Sequence, residues 1–228
     1  MFNTKTILAA AMAGFFTGSV NADVLYSDGV LDGNTTALQI SSGYAVADTF
    51  NLAANSTVTG VTFDSWDGYS NDVTNVDWSI ISANGAGASS PTGGVVIASG
   101  VQTAVSGATL FTNTSGSVVE ANTFSLPNVS LAGGTYWLEL SNALTASGAD
   151  VYWDVNSNGS NPGASNAWTN VTGTFSPSNT CGTYIAGMGS ACSNTFQVVG
   201  AVPLPGAVWL FVSGIAGIFA TGRLTRKD

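Results

Sequence analysis

The chain has 228 residues, enough for one sizeable β domain with targeting segments at its ends. Its four cationic residues lie within the first five or last six positions, and twelve of its thirteen acids lie between residues 23 and 201, which gives that segment a formal charge of −12. This charge excludes nucleic-acid binding, which needs cations against phosphates, and the lack of His and Lys in the segment excludes the usual nucleophilic triads.

The first 22 residues have the pattern of a secretory signal peptide. Lys5 precedes an apolar stretch over residues 7–16, and Val20 and Ala22 stand where an A-x-A cleavage site needs small residues. The sequence therefore predicts cleavage after Ala22. An N-terminal membrane anchor is the alternative, although this apolar stretch is shorter than the roughly 17 residues that cross a bilayer.

Residues 23–201 alternate apolar and polar side chains with the period of β-strands. Three segments place apolar residues on one face: Val76, Trp78 and Ile80; Tyr136, Leu138 and Leu140; Val151, Trp153 and Val155. Further strands are predicted at 44–52, 57–63, 94–98, 118–126 and 195–200. Many short strands separated by Gly-rich turns predict an all-β domain over residues 23–201, an antiparallel two-sheet sandwich that is jelly-roll-like.

Trp66 and Tyr69 stand among Asp, Gly, Ser and Asn residues, a composition that predicts a loop. Aromatic rings exposed on such a loop could stack on sugar rings, so these two residues are the predicted ligand contacts. For the aromatic residues as a group, packing is favoured over glycan binding. The acids around this stretch are expected to decorate the same loop: Asp64, Asp67, Asp72 and Asp77.

Carboxylates are the remaining groups with catalytic chemistry. Glycoside hydrolysis needs two of them facing each other across a cleft. The nominal candidates are Glu120, Glu139, Asp150 and Asp154. Because acids on an exported domain serve more simply to keep its surface solvated, we expect no catalytic residues and no enzymatic activity.

Asp154-Val155-Asn156-Ser157-Asn158-Gly159 resembles the start of a D-x-[DN]-x-[DN]-G calcium loop. The predicted metal ligands are Asp154, Asn156 and Asn158. Position twelve is Ser165 instead of an acid, so an Asx-rich turn without metal is the favoured alternative, and no other cofactor is predicted.

Cys181 and Cys192 are the only cysteines, and they flank a short Gly-rich loop. In an exported chain this arrangement predicts a disulfide. Such a bridge would stabilise the fold by roughly 2–3 kcal/mol.

The segment 202–228 combines an extended start, an apolar stretch and a basic end. Pro203 and Pro205 impose extended backbone, and the 17 uncharged residues of 206–222 could just span a thin membrane as a helix. The cations that follow favour a cytoplasmic end and place residues 23–205 outside. These cations are Arg223, Arg226 and Lys227.

Val202-Pro203-Leu204-Pro205, the apolar helix with Trp209 and the basic tail together resemble the VPLPA variant of the PEP-CTERM sorting signal. The chain departs from that pattern at Gly206, where Ala is usual, and at Leu224 and Thr225 within the basic tail. The resemblance implies an exosortase-type membrane enzyme as partner, in bacteria that make extracellular polysaccharide. An ordinary single-pass anchor is the alternative.

Three phrases in residues 23–201 are similar to the β-rich passenger domains found ahead of this signal: ADTFNLAANSTVTGVTFDSW, FSLPNVSLAGGTYWLEL and TFQVVG. The sequence thus predicts a membrane-anchored precursor that becomes a structural or adhesive protein of the cell surface or extracellular matrix. A carbohydrate-binding β-sandwich that contacts extracellular polysaccharide is the alternative. A carboxylate-dependent glycosidase is less favoured.

Overall fold

The computed structural model describes residues 22–29, 37–67, 73–83, 85, 90–112, 118–156, 168–170, 174–177 and 193–202. These residues form two antiparallel β-sheets, which confirms the predicted all-β sandwich. No helix within them is long and apolar enough to cross a membrane. Several predicted features lie outside the described residues: the signal segment before Ala22, Tyr69, Asn158, Cys181, Cys192 and the tail after Val202.

The larger sheet has eight strands among the described residues, and the smaller sheet has six. The larger sheet contains β1 (Asp23–Ser27), β2 (Ala37–Gln39), β4 (Ser56–Asp67), β7 (Ser106–Thr112), β8 (Val118–Leu131), β10 (Val151–Asn156), β13 (Ser193–Asn194) and β14 (Phe196–Ala201). The smaller sheet contains β3 (Ala45–Leu52), β5 (Val73–Ser82), β6 (Val96–Gln102), β9 (Gly134–Thr145), β11 (Trp168–Asn170) and β12 (Phe175–Pro177).

Strand pairing is nested about the connection between β5 and β6. β2 pairs with β10, β3 with β9, β4 with β8, and β5 with β6. The long strand β4 organises the larger sheet, because β8 covers one of its edges while β14 and then β10 cover the other. At one side of the sandwich, the sheets end in β6 and β7.

The core between the sheets is built by strand alternation. All nine residues of the three predicted apolar triplets are buried, which confirms their inward faces. Trp153 is fully buried, and its ring meets Phe63 and Phe196 edge-on with centroids 6.3 Å and 5.5 Å apart. Trp78 belongs to the same apolar core.

Trp137 lies on the face of β9 opposite the core, as alternation predicts. It is nevertheless buried, because Trp168 of β11 packs against it edge-on, with ring centroids 6.3 Å apart, and Phe175 of β12 covers the same cluster. The short strands β11 and β12 are not predicted from the sequence, so only the structure reveals the burial of this outer face.

Trp66 lies in a strand and not in the predicted loop. β4 continues to Asp67, so Asp64, Trp66 and Asp67 are strand residues, and Asp77 lies within β5. The expectation that these acids decorate a loop is therefore wrong for Asp64, Asp67 and Asp77. The strand can extend this far because both of its edges remain paired, with β8 on one side and β10 on the other.

Candidate functional site

A three-residue segment, Ser193-Asn194-Thr195, contacts four acidic side chains. The Ser193 hydroxyl is hydrogen-bonded to Asp28 and to Asp48, the latter at 3.1 Å. The Thr195 hydroxyl donates to Oδ2 of Asp154 at 3.2 Å and also bonds the carboxylate of Asp64. The segment therefore joins an inner acid pair to an outer one.

Five of the acids are buried, each with at most 1% of its surface exposed: Asp28, Asp48, Asp67, Glu120 and Asp154. The expectation that the acids serve to solvate the surface is wrong for these five. Burial of a carboxylate without a compensating partner is costly. Hydrogen-bond donors contact Asp28, Asp48, Glu120 and Asp154. In a domain without Lys, Arg or His, those donors come from hydroxyl, amide and indole groups and from the main chain.

Asp48 lies in the core of the sandwich because of its position on β3. It lies on the same face of the strand as Val46 and Phe50, two positions away on either side. Both of these residues belong to the apolar core, so the side chain of Asp48 points inward. There it accepts the main-chain N–H of Asn194 at 2.6 Å and that of Thr49 at 2.7 Å. These contacts link the smaller sheet to β13 in the larger one.

Ser193 bridges the inner pair, Asp28 and Asp48, through its one hydroxyl group. A hydroxyl carries a single proton, so it donates fully to only one of the two carboxyl groups at a time. The two main-chain N–H groups on Asp48 favour the ionised form of that carboxyl.

Burial raises the pKa of both members of the inner pair. Desolvation raises the pKa of Asp28 to about 7. Burial also raises the pKa of Asp48 well above its ordinary value, and the nearby charge of Asp28 raises it further, against the opposing effect of its hydrogen bonds. The pair therefore holds a proton through the mildly acidic range, where an exposed aspartate would already be ionised.

The outer pair lies on the face of the larger sheet that points away from the core. Trp66 donates its indole N–H to Oδ1 of Asp154 at 2.5 Å, and Thr195 donates its main-chain N–H to the carbonyl of Asp154 at 3.1 Å. Trp66 is only 9% exposed. The prediction of Trp66 as an exposed stacking platform is wrong, because this indole is occupied in fixing a buried acid.

The predicted calcium ligands do not start a loop. β10 continues through Asn156, and the carboxylate of Asp154 accepts hydrogen bonds from Trp66 and Thr195. Across the part of the chain that the structure describes, no three His, Cys, Asp or Glu residues are grouped as a metal site. Calcium binding by this stretch stays a prediction, with Asp154 placed in a strand.

An open pocket of about 410 Å³ lies on the outer face of the larger sheet beside this pair. Its lining includes Asp64 and Thr62 of β4, Gln197 of β14 and Leu110 of β7. Desolvation raises the pKa of Asp64 to about 6, although the hydroxyl of Thr195 acts in the opposite direction. The pocket thus offers a carboxyl, a hydroxyl, an amide and an apolar side chain to a small polar ligand.

The four carboxylates considered for glycoside hydrolysis are not assembled in one groove. Glu120 faces the interior on β8, and Asp154 faces outward from the same sheet. Glu139 is half-buried on the outer side of the smaller sheet, where burial raises its pKa. Asp150 is exposed, and the hydroxyls of Ser41 and Ser42 lower its pKa.

Sequence reasoning missed the segment at Ser193 and the inner acid pair. One signal for Asp48 was available, since strand alternation alone places it between Val46 and Phe50 on the core face. No local signal identifies Ser193 as its partner, because the two residues are 145 positions apart.

No protein-family model matches the chain, and the search of curated proteins likewise finds no match.

Proposed function

We propose that the chain is an exported, non-catalytic protein of the cell envelope or extracellular matrix, released from a membrane-anchored precursor by an exosortase-type enzyme. The observation that carries this proposal is the C-terminal order of Val202-Pro203-Leu204-Pro205, an uncharged stretch and the cluster of cations. The separation of the nominal catalytic carboxylates supports a structural or adhesive role over glycoside hydrolysis.

The proposal includes three finer points of organisation. A signal peptide is cleaved after Ala22, and residues 206–222 form a transmembrane helix until processing. The domain between them is a jelly roll. Its nested strand pairs, β2 with β10, β3 with β9, β4 with β8 and β5 with β6, support that classification.

Cell fractionation with mass spectrometry of the C-terminus tests the processing step. Wild type is expected to lose Asp228 in the mature fraction, whereas Pro203→Ala and Pro205→Ala are expected to accumulate as full-length, membrane-bound chains. Pro127→Ala, at an exposed position of β8, is the matched control and should process normally. Recovery of intact Asp228 from every wild-type fraction would refute the proposal.

A carbohydrate-binding module is the second candidate, and the pocket at Asp64 is the observation that favours it. Carboxyl, hydroxyl and amide groups around an apolar side chain are the kind of lining that binds neutral sugars. A glycan array with wild type, Asp64→Asn and the exposed control Asp150→Asn tests it. Binding lost only in Asp64→Asn supports the module, and no binding by wild type excludes it.

A further inference from the structure

Strand β6 forms an open edge of the smaller sheet. It pairs with β5 on one side, and no strand among the described residues pairs with its other side. Edge strands expose unpaired main-chain N–H and C=O groups that can accept a strand from another chain. Natural edges are normally blocked by Lys, Pro or a covering segment, so an edge without such protection requires an explanation.

The apolar side chains at this edge are exposed. Val95, Val96 and Val101 are 70%, 55% and 60% exposed, and Ile97 between them is 44% exposed. Valine and isoleucine favour strands and gain free energy when they leave water. β6 contains neither Pro nor any charged residue. Two usual devices against edge pairing, Lys and Pro, are therefore missing from this strand, although its pairing with β5 has an irregularity that skips Ile97.

Charge distinguishes this edge from the rest of the domain. Residues 78–119 contain no charged side chain, although the domain carries twelve acids and no bases. On the neighbouring strand β5, Asp77 lies opposite Val101, and its Oδ2 accepts a hydrogen bond from Asn142 at 2.8 Å. Two copies of this anionic body repel each other at most orientations, and the repulsion is weakest when the uncharged sides meet.

The main chain at Val96 is oriented for pairing. Val95 uses both main-chain groups toward β5, since its carbonyl accepts from Ser82 N–H at 2.8 Å and its N–H donates to Ser82 Oγ at 3.1 Å. Val96 lies opposite Ile81. Because successive residues of a strand alternate, we infer from Val95 that the N–H and C=O of Val96 point away from β5, toward the open side. The main chain of Val96 could therefore hydrogen-bond a neighbouring strand without giving up a hydrogen bond to β5.

We propose that β6 is a self-association edge, at which two copies of this chain pair antiparallel about a two-fold axis and join their smaller sheets into one. The partner is a second copy because an identical uncharged strand is self-complementary in that symmetry and brings no acid to the contact. The pairing requires nothing of the C-terminal tail or of the pocket at Asp64, so it holds independently of the proposed function.

Sedimentation velocity of the purified full chain in a mild detergent tests the proposal, over protein concentrations from about 1 to 100 μM. Wild type is expected to form a reversible dimer. Val96→Lys should weaken the dimer by about tenfold or more, because the symmetry places the new charge in the interface twice. Leu144→Lys, at a 57% exposed position on the interior strand β9, is the matched control and should behave as wild type.

Val96→Thr is a second variant that preserves the β-branched shape and is expected to fold, with a few-fold weakening of the dimer. Raising the salt from about 0.01 M to 0.15 M should strengthen the wild-type dimer, since it screens the repulsion between two anionic bodies. A wild type that stays monomeric overturns the proposal. So does a dimer that is insensitive to both Val96 variants or weakened equally by Leu144→Lys.

Discussion

The segment around Ser193 and the edge at β6 reverse the usual distribution of side chains. Three acids around Ser193 have no exposed surface: Asp28, Asp48 and Asp154. At β6, in contrast, the valine side chains are exposed to solvent. Buried acids are rare unless they are partnered, and exposed apolar edges are normally protected. The difference shows that hydroxyl and amide donors can substitute for missing bases inside the fold, while the lack of charge at the edge keeps one side open to contact.

Replacement of Trp153 should produce the largest loss of stability. Its indole is fully buried and donates to the carbonyl of Thr195 at 2.9 Å, so Trp153→Ala removes core volume and a support of the acid-binding segment. We expect a loss of about 3–5 kcal/mol in the free energy of unfolding, measured by urea denaturation. Val95→Ala at the edge should change it by less than about 0.5 kcal/mol. Similar losses in the two variants would contradict the contrast.

Removal of the shared hydroxyl should have the next largest effect. Ser193→Ala leaves Asp28 and Asp48 buried without the group that bridges them, and the expected loss is about 1–3 kcal/mol. The matched control is Ser99→Ala on the exposed strand β6, which should be nearly neutral. An unchanged urea midpoint for Ser193→Ala would show that the bridge does not hold the pair.

The pH dependence of stability should follow the protonated acids. For an aspartate whose folded pKa is raised, the contribution to stability is complete below the unfolded value near 4 and is lost as the pH rises through the folded value. With the pKa of Asp28 at about 7 and that of Asp64 at about 6, the melting temperature should fall by a few degrees between pH 5 and pH 8.

Two substitutions test whether Asp28 causes this fall of the melting temperature with pH. Asp28→Asn keeps a side-chain group that can hydrogen-bond Ser193 but cannot ionise, so it should flatten the profile between pH 5 and pH 8. Asp150→Asn should leave this range unchanged, because the pKa of the exposed Asp150 is lowered by Ser41 and Ser42. A wild-type melting temperature that rises steadily from pH 5 to pH 8 would exclude a protonated pair in the core.

The smallest effect is expected from a polar substitution at the edge. Val101→Thr should change the free energy of unfolding by less than about 0.5 kcal/mol, because the side chain is 60% exposed in a single copy. Val58→Thr makes the same change at a fully buried position and should cost about 1–3 kcal/mol. Measurement at low protein concentration avoids any contribution from dimers.

The strands that carry strong alternation could be predicted from the sequence. Eight strands are predicted, among them β5, β9 and β10, whose apolar triplets all lie in the core. Strands of three residues or fewer, such as β2, β11 and β13, have too few residues for a pattern and depend on pairing with distant segments. Burial of Trp137 by β11 and β12 could not be predicted for the same reason.

The candidate site was harder to predict because its chemistry depends on tertiary contacts. Charge alone predicts that the acids lie on the surface, whereas strand alternation places Asp48 inward. Trp66 was assigned to a loop because Gly68 and several polar residues follow it, whereas pairing on both edges of β4 extends the strand past it. Where composition and strand period disagreed, the period was the better guide.

The position of β14 has a consequence for the order in which the fold can be completed. β14 lies between β1 and β4, and it is the pairing partner of β1 among the described strands. Its fit is close, since a Cβ added at Gly200 would collide with the carbonyl oxygen of Thr57. During synthesis, β1 is made first and its partner β14 among the last of the strands. The first strand of the domain therefore cannot take its place in the sheet until β14 has been made.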